Sequence, residues 1–156
     1  LPEGDKIPAI PEYCPTPEGT HNREMMRKHP FQMVGYHDKG HVHSTYASVP
    51  MLQEAIPHAA WINPLDAQKF SIKTGDIVEI FNDRGRMAIH AKVTPNVMPG
   101  VLAVPQGAWR KQKIADPKQI DMGGCINTLT TQRPSPLAKG PPQHTNLVSI
   151  KLMKGA

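Results

Sequence analysis

Proline limits this chain more than any other residue. It fills 17 of 156 positions, against a usual share of roughly 5%. Each proline lacks a backbone N–H, breaks helix interiors and is excluded from central strands. Apolar residues make up only 38% of the sequence, below the roughly 45–50% of ordinary globular domains. The two features together predict a loop-rich, mainly β domain and argue against a helical bundle or coiled coil. The length suits one domain with a real core. No apolar run of about 18 residues occurs, so no direct membrane insertion is expected. Nor does a secretory h-region stand near the start. The chain opens on Leu1, which points to a processed chain or an excised piece of a larger protein.

Lys and Arg number 18 against 13 Asp and Glu, for a net charge of +5. That balance favours anionic partners such as phosphates, acidic subunits or nucleic acid. The excess is spread out, and its densest stretch is Arg110-Lys111-Gln112-Lys113. With three Tyr, three Phe and two Trp, no base-stacking platform is in sight, and a nucleic-acid partner is not expected. Most of these charges read as a solvated basic surface. Cys14 and Cys125 lie 111 residues apart with no CxxC spacing. They form no zinc ribbon or thioredoxin motif, and a disulfide and idle thiols both stay open.

Six prolines fall in the first 30 residues, so this segment reads as a linker or an arm lying on another domain. Arg23–His29 has the makings of one or two helical turns. The globular part begins at Phe31 and runs to the end of the chain. Residues 31–36 alternate as a strand, and residues 37–48, rich in His, Ser and Gly, form a loop. Pro50 starts a short helix to about Ile56, with Ser48 as a candidate cap. Residues 60–62 form a brief strand. Asn63-Pro64 then starts a second helix that Gly75 closes. Residues 76–81 and 87–93, around the turn Asn82-Asp83-Arg84-Gly85, form a β-hairpin with Met87, Ile89, Ala91 and Val93 on one side. Strands at 101–104 and 145–152 follow, separated by a long irregular run. Short strands, two small helices and long loops describe a small closed barrel.

His37, His41 and His43 cluster within seven residues, and Ser44-Thr45 follows. Hydroxyls beside imidazoles suit a phosphate or a pterin-like ring, whereas three His with Asp38 make a metal site the sharper alternative. Plain surface histidines are a third reading. Gln106-Gly107-Ala108-Trp109 pairs a close-approach glycine with a large aromatic, as a ligand wall or as a core plug. Gly123-Gly124 ahead of Asn127, Thr128 and Thr130 offers backbone N–H groups and neutral side chains for a base edge or a phosphate nest. A turn cap is the plainer reading of Asn127. The acids lie mostly in turns, and no pair stands out for acid–base catalysis. No G-x-G-x-x-G after a strand, P-loop, G-x-S-x-G or H-E-x-x-H is present.

In order, His43-Ser44-Thr45, residues 61–67, Gly75-Asp76, Asn82-Asp83-Arg84-Gly85, Pro99-Gly100-Val101, residues 106–109, residues 123–130 and Ser135-Pro136-Leu137-Ala138 resemble one family. It is the C-terminal molybdopterin-dinucleotide-binding domain of the dimethyl sulfoxide reductase family, and within it the catalytic subunits of the anaerobic reductases. The resemblance spans about residues 31–153. It implies a six-stranded double-psi β-barrel that binds molybdopterin guanine dinucleotide. The molybdenum would be ligated outside this fragment, with an iron–sulfur cluster also upstream. The whole enzyme would reduce an S- or N-oxide, although the isolated domain would not be active. Partners implied are the upstream domains of the same polypeptide, an electron-transfer iron–sulfur subunit and a membrane anchor subunit, in an exported, membrane-associated complex.

By the same resemblance, His37, His43, Ser44 and Thr45 match one cofactor-contacting loop, Asn127 a second, and Gln143 a contact before the last strand. Gly107 and Trp109 would form a wall. Relatives often carry arginine where this chain has His41, which removes a permanent cation there. Asn63, Asp66, Asp83 and Arg84 are assigned to turns and caps. Two other classes stay open: a freestanding double-psi barrel used as an interaction module, and a small metal protein built on the His loop.

Overall fold

The computed structural model describes residues 9–13, 15–112, 119–135, 139–140, 142 and 144–153. Six strands form a closed barrel: β1 (Phe31–Tyr36), β2 (Ala59–Ile62), β3 (Ile77–Phe81), β4 (Arg86–Val93), β5 (Val101–Pro105) and β6 (Asn146–Leu152). Their order around the barrel is β1-β5-β2-β4-β3-β6. Pairs β1–β5 and β2–β4 are parallel and the other four antiparallel, as a double-psi barrel requires. Closure leaves no strand edge unpaired. Among the described residues, three short α-helices sit outside: α1 (Arg23–Lys28), α2 (Pro50–Ala55) and α3 (Pro64–Lys69). Among the described residues, no helix is long and apolar enough to cross a membrane.

Local chemistry explains most of these elements. Asn63 caps α3 by accepting from the Leu65 N–H at 2.9 Å, while its amide donates to the Val97 carbonyl at 2.7 Å. Pro64 then occupies the first helical position, where no N–H is needed. α2 starts differently from expectation. Val49 is its cap residue, with no side-chain cap bond, so Ser48 does not cap it. Pro50 removes one of the N–H groups that a cap would serve, and Val49 in an extended conformation suffices.

The expected hairpin is the antiparallel pair β3–β4, with Ile80 opposite Met87. Met33, Ile62, Ile80, Met87 and Leu102 fill the barrel without measurable exposure. Ala88, on the nominally outer side of β4, is also buried. The covering residue is Asp121, whose carbonyl accepts from the Ala88 N–H at 2.8 Å.

Candidate functional site

The parallel pairing of β1 with β5 decides where the chemistry gathers. Tyr36 lies opposite Pro105 at the C-terminal ends of the two strands, so both chains leave the barrel at the same rim. One continues into the loop at 37–48, the other into 106–112. The Gln106 N–H donates back to the Tyr36 carbonyl at 2.9 Å. Gly107 has φ +90°, and its α-carbon lies so close to the His43 carbonyl that a Cβ would overlap it. The Trp109 indole N–H donates to the Ser44 carbonyl at 3.4 Å. These contacts lay the first loop directly against the second.

A third loop, later in the connection from β5 to β6, joins them beside β4. The Asp121 N–H donates to the Arg86 carbonyl at 3.0 Å, and a 3-10 turn at Ile126–Thr128 follows. Buried Ile126 tucks beneath Gly35 of β1, which carries Asn127 to the same rim. His43, Ser44, Gln106, Gly107, Trp109 and Asn127 line one cleft of about 340 Å³, with Ala108, Cys125 and Ile126 completing it.

Of the residues singled out in the sequence, the structure therefore unites His43, Ser44, Gly107, Trp109 and Asn127. His37 packs its ring against His43 at 5.5 Å without lining the cleft. Thr45 is exposed, and its N–H closes a turn on the Val42 carbonyl at 3.0 Å. Gln143 lies outside the described residues, as does Cys14. His41 turns away, its Nδ1 bonded to Asp38 Oδ2 at 2.9 Å with both side chains largely buried. The three loop histidines thus divide between two directions. Among the described residues no group of three or more His, Cys, Asp or Glu could hold a metal ion.

Two sequence readings change here. Trp109 is 67% exposed and lines the cleft, so it is no core plug. The Gly123-Gly124 stretch is not an open anion nest either. The N–H groups of Gly123 and Cys125 donate to Asp121, at 2.9 and 2.7 Å. A carboxylate of this chain occupies the place foreseen for phosphate.

Gln106 and Asp121 escaped the site reading, although both are buried. An Asp two residues before a Gly-Gly pair is the sequence signal of a side chain that captures the following backbone. Arg84, read as a turn residue, pairs with Glu18 and donates to the Leu129 carbonyl at 3.0 Å. Asp66 is likewise buried and accepts from the Gly100 N–H at 2.7 Å.

Among the described residues, no Asp, Glu, Lys or Arg lines the cleft. Burial pushes the Cys125 thiol up and Asp121 adds to the rise, so this sulfur stays neutral and poorly nucleophilic. Behind Trp109 lies a second cavity of about 790 Å³, reached by His41, Gln53, His58, His90 and Lys111. His58 bonds the Gly124 carbonyl at 3.2 Å. Burial lowers its pKa.

Residues 31–147 match the molydopterin dinucleotide binding domain family. The chain belongs to that family. It is 54% identical over 151 residues to dimethyl sulfoxide reductase DmsA of Escherichia coli strain K12, covering 97% of this chain and 18% of that protein. Against DmsA of Haemophilus influenzae the identity is 48%, with the same coverage. The dimethyl sulfoxide/trimethylamine N-oxide reductase of Cereibacter sphaeroides is 34% identical over 83% of this chain and 16% of its own. The chain thus spans under a fifth of the length of these curated relatives. Acetylene hydratase from Pelobacter acetylenicus shares the fold, with a TM-score of 0.76 at 17% identity over 91% of this chain and 21% of that one.

A molybdopterin dinucleotide fits what lines the cleft. The amides of Gln106 and Asn127 and the Ser44 hydroxyl both donate and accept, as ring heteroatoms and phosphate oxygens require. The Trp109 face offers area to a planar group. Gly107 lets the His43 loop lie directly against the Trp109 loop.

Proposed function

We propose that this chain is the C-terminal domain of a molybdenum-dependent S- or N-oxide reductase of the dimethyl sulfoxide reductase type, and that its cleft holds part of a molybdopterin guanine dinucleotide. One observation carries the reading: three loops, distant in sequence, converge on one rim and present His43, Ser44, Gly107, Trp109 and Asn127 to a single cleft. The bound group supplies the oxygen-atom transfer chemistry, with its molybdenum ligated outside this fragment. The residues of the chain bind and orient it. Ser44 and Asn127 fix its polar edges, Trp109 covers a face and keeps water off it, and His43 adds an imidazole donor or acceptor. Thr45, His37 and Gln143 belong to the same proposed set as flanking contacts.

The high identity to dimethyl sulfoxide reductases, paired with coverage of under a fifth of their length, supports a role as one domain of a longer catalytic chain. The remaining domains of that chain, an iron–sulfur cluster upstream, an iron–sulfur electron-transfer subunit and a membrane anchor subunit are proposed as its partners, in an exported membrane-associated complex. Residues 31–156 are proposed as the cofactor-binding barrel and residues 1–30 as an arm. Supporting the arm, Glu18 is buried against the barrel, where it accepts from the Leu147 N–H at 3.0 Å.

The test is cofactor content. In the full-length enzyme, Asn127→Ala should leave the barrel folded and lower pterin and molybdenum per mole of protein, because a neutral donor–acceptor pair is lost. Pterin is read by fluorescence after release, and molybdenum by elemental analysis. Unchanged content in Asn127→Ala and in Trp109→Ala together would sink the assignment of this cleft.

A further inference from the structure

The cleft is assembled from separate loops, and a buried carboxylate stands behind all of its third wall. Asp121 has no solvent exposure. Its Oδ1 accepts from the Lys111 N–H at 2.7 Å and the Gly123 N–H at 2.9 Å. Its Oδ2 accepts from the Cys125 N–H at 2.7 Å and the Thr128 hydroxyl at 3.4 Å. Its backbone is fixed to β4 through Arg86 and Ala88. Lys111 continues the wall that carries Gly107 and Trp109, whereas Cys125 and Thr128 flank the wall that carries Asn127. The same two walls touch again where the Met122 N–H donates to the Lys111 carbonyl at 2.7 Å, and where Gly123 leaves no room for a Cβ beside the Trp109 carbonyl.

We infer that Asp121 is the positioning residue of the cofactor cleft: without touching the ligand, it sets the separation between the Trp109 wall and the Asn127 wall. This inference rests on the cleft reading above. The physical reason is that one rigid acceptor bound to donors from both walls lets neither move alone. Four bonds to one buried carboxyl group are worth far more there than they would be in water. Charge-assisted bonds of this kind are also short and directional. A hydrophobic residue could plug the same space, but it would leave three N–H groups of the rim unpaired. Asparagine has nearly the same shape, yet it replaces one acceptor oxygen with an NH2 group that faces N–H donors.

The experiment compares Asp121→Asn, Asn127→Ala, their double variant and Ile150→Val in the full-length enzyme. Ile150→Val is the stability control, a buried β6 residue remote from the rim. The readouts are the rate of pterin loss from the purified holoenzyme and residue-resolved amide exchange over 109–128. Asp121→Asn is expected to lose cofactor about tenfold faster than wild type, the effect of one lost charge-assisted bond. Lys111, Gly123 and Cys125 should lose protection together. The double variant should fall short of the product of the single effects, because both act on one wall. Ile150→Val should keep its cofactor.

Wild-type retention in a folded Asp121→Asn, with Asn127→Ala losing cofactor, would overturn the inference and leave the cleft reading intact. So would strict additivity of the two, or an equal loss in Ile150→Val. Full retention in Asn127→Ala would overturn the cleft reading, and this inference with it. If Asp121→Asn does not fold, the wild-type holoenzyme decides. Slow, concerted exchange at Lys111, Gly123 and Cys125 supports the brace, and fast or independent exchange overturns it.

Discussion

Gly107 and Gly100 both sit at positive φ, +90° and +79°, yet they ask for glycine for different reasons. A Cβ on Gly100 would meet nothing within 4 Å, whereas one on Gly107 would overlap the His43 carbonyl. Gly100→Ala should therefore cost only the left-handed conformation itself, about 1 kcal/mol. Gly107→Ala adds a backbone overlap that no rotamer relieves and should cost about 3 kcal/mol. Urea denaturation of the two variants checks the ordering. Equal costs would mean that the His43 loop yields easily and does not depend on Gly107 for its place. His43 is itself at φ +53°, a conformation that non-glycine residues adopt rarely and that needs support from its surroundings. The contact with Gly107 is that support.

At the scale of elements, what could be read from sequence was what neighbouring residues decide. The β3–β4 hairpin and the start of α3 were visible because alternation, a turn signal, and the Asn63-Pro64 pair act locally. The register of β1 against β5 was not visible, since it joins Gln32 to Val101 through the closure of the whole barrel. Of the cleft, Ser44, Gly107, Trp109 and Asn127 read as separate motifs that only the family resemblance joined, and the shared rim that brings them together is a product of that register. Asp121 was missed because its role appears only once Lys111 and Cys125 are brought to it. His58, between α2 and β2, is a similar case, with its ring on the Gly124 carbonyl.

Burial lowers the His58 pKa from 6.5, and His41 acts in the same direction; the Gly124 bond and the carboxylates of Asp38 and Asp121 oppose it. A histidine with a depressed folded pKa contributes its full stability above the unfolded value. That contribution is lost as pH falls below about 6.5 towards the folded value, because the unfolded chain takes up the proton first. The barrel should thus lose stability as pH falls through about 6.5, and His58→Gln should flatten that slope. Asp83 is not the source, since its pKa is lowered from 3.8 by Lys28 and then His29 and its window lies further to the acid side. A pH profile of the denaturation midpoint that is the same with and without His58 would refute the assignment.

For the molecule as a whole, the open question is whether the barrel is complete without the arm. Several contacts join them, among them His29 with Ser149 at 2.9 Å, and the two ion pairs of Lys28 and Glu18 differ in kind. Lys28 meets Asp83 at 2.6 Å, but both side chains are 62% exposed, so water and salt screen the pair and it contributes little. Glu18 is 9% exposed at its side chain and meets Arg84. It also accepts from Leu147 Nα at 3.0 Å, and Arg84 in turn reaches Asn146 at 3.4 Å and the Leu129 carbonyl. Glu18→Gln keeps the size but turns an NH2 group towards Arg84 or Leu147, leaving one of them without its acceptor. We expect a loss of about 2 kcal/mol, while Lys28→Ala should be nearly silent. Removing residues 1–30 should cost at least as much as Glu18→Gln, since the deletion uncovers the Leu147 N–H at the start of β6 as well. Since β6 closes the barrel between β1 and β3, that loss should appear as faster amide exchange along β6 first. A truncated barrel with an unchanged denaturation midpoint would make the arm a passive linker, and the domain would then begin at Phe31.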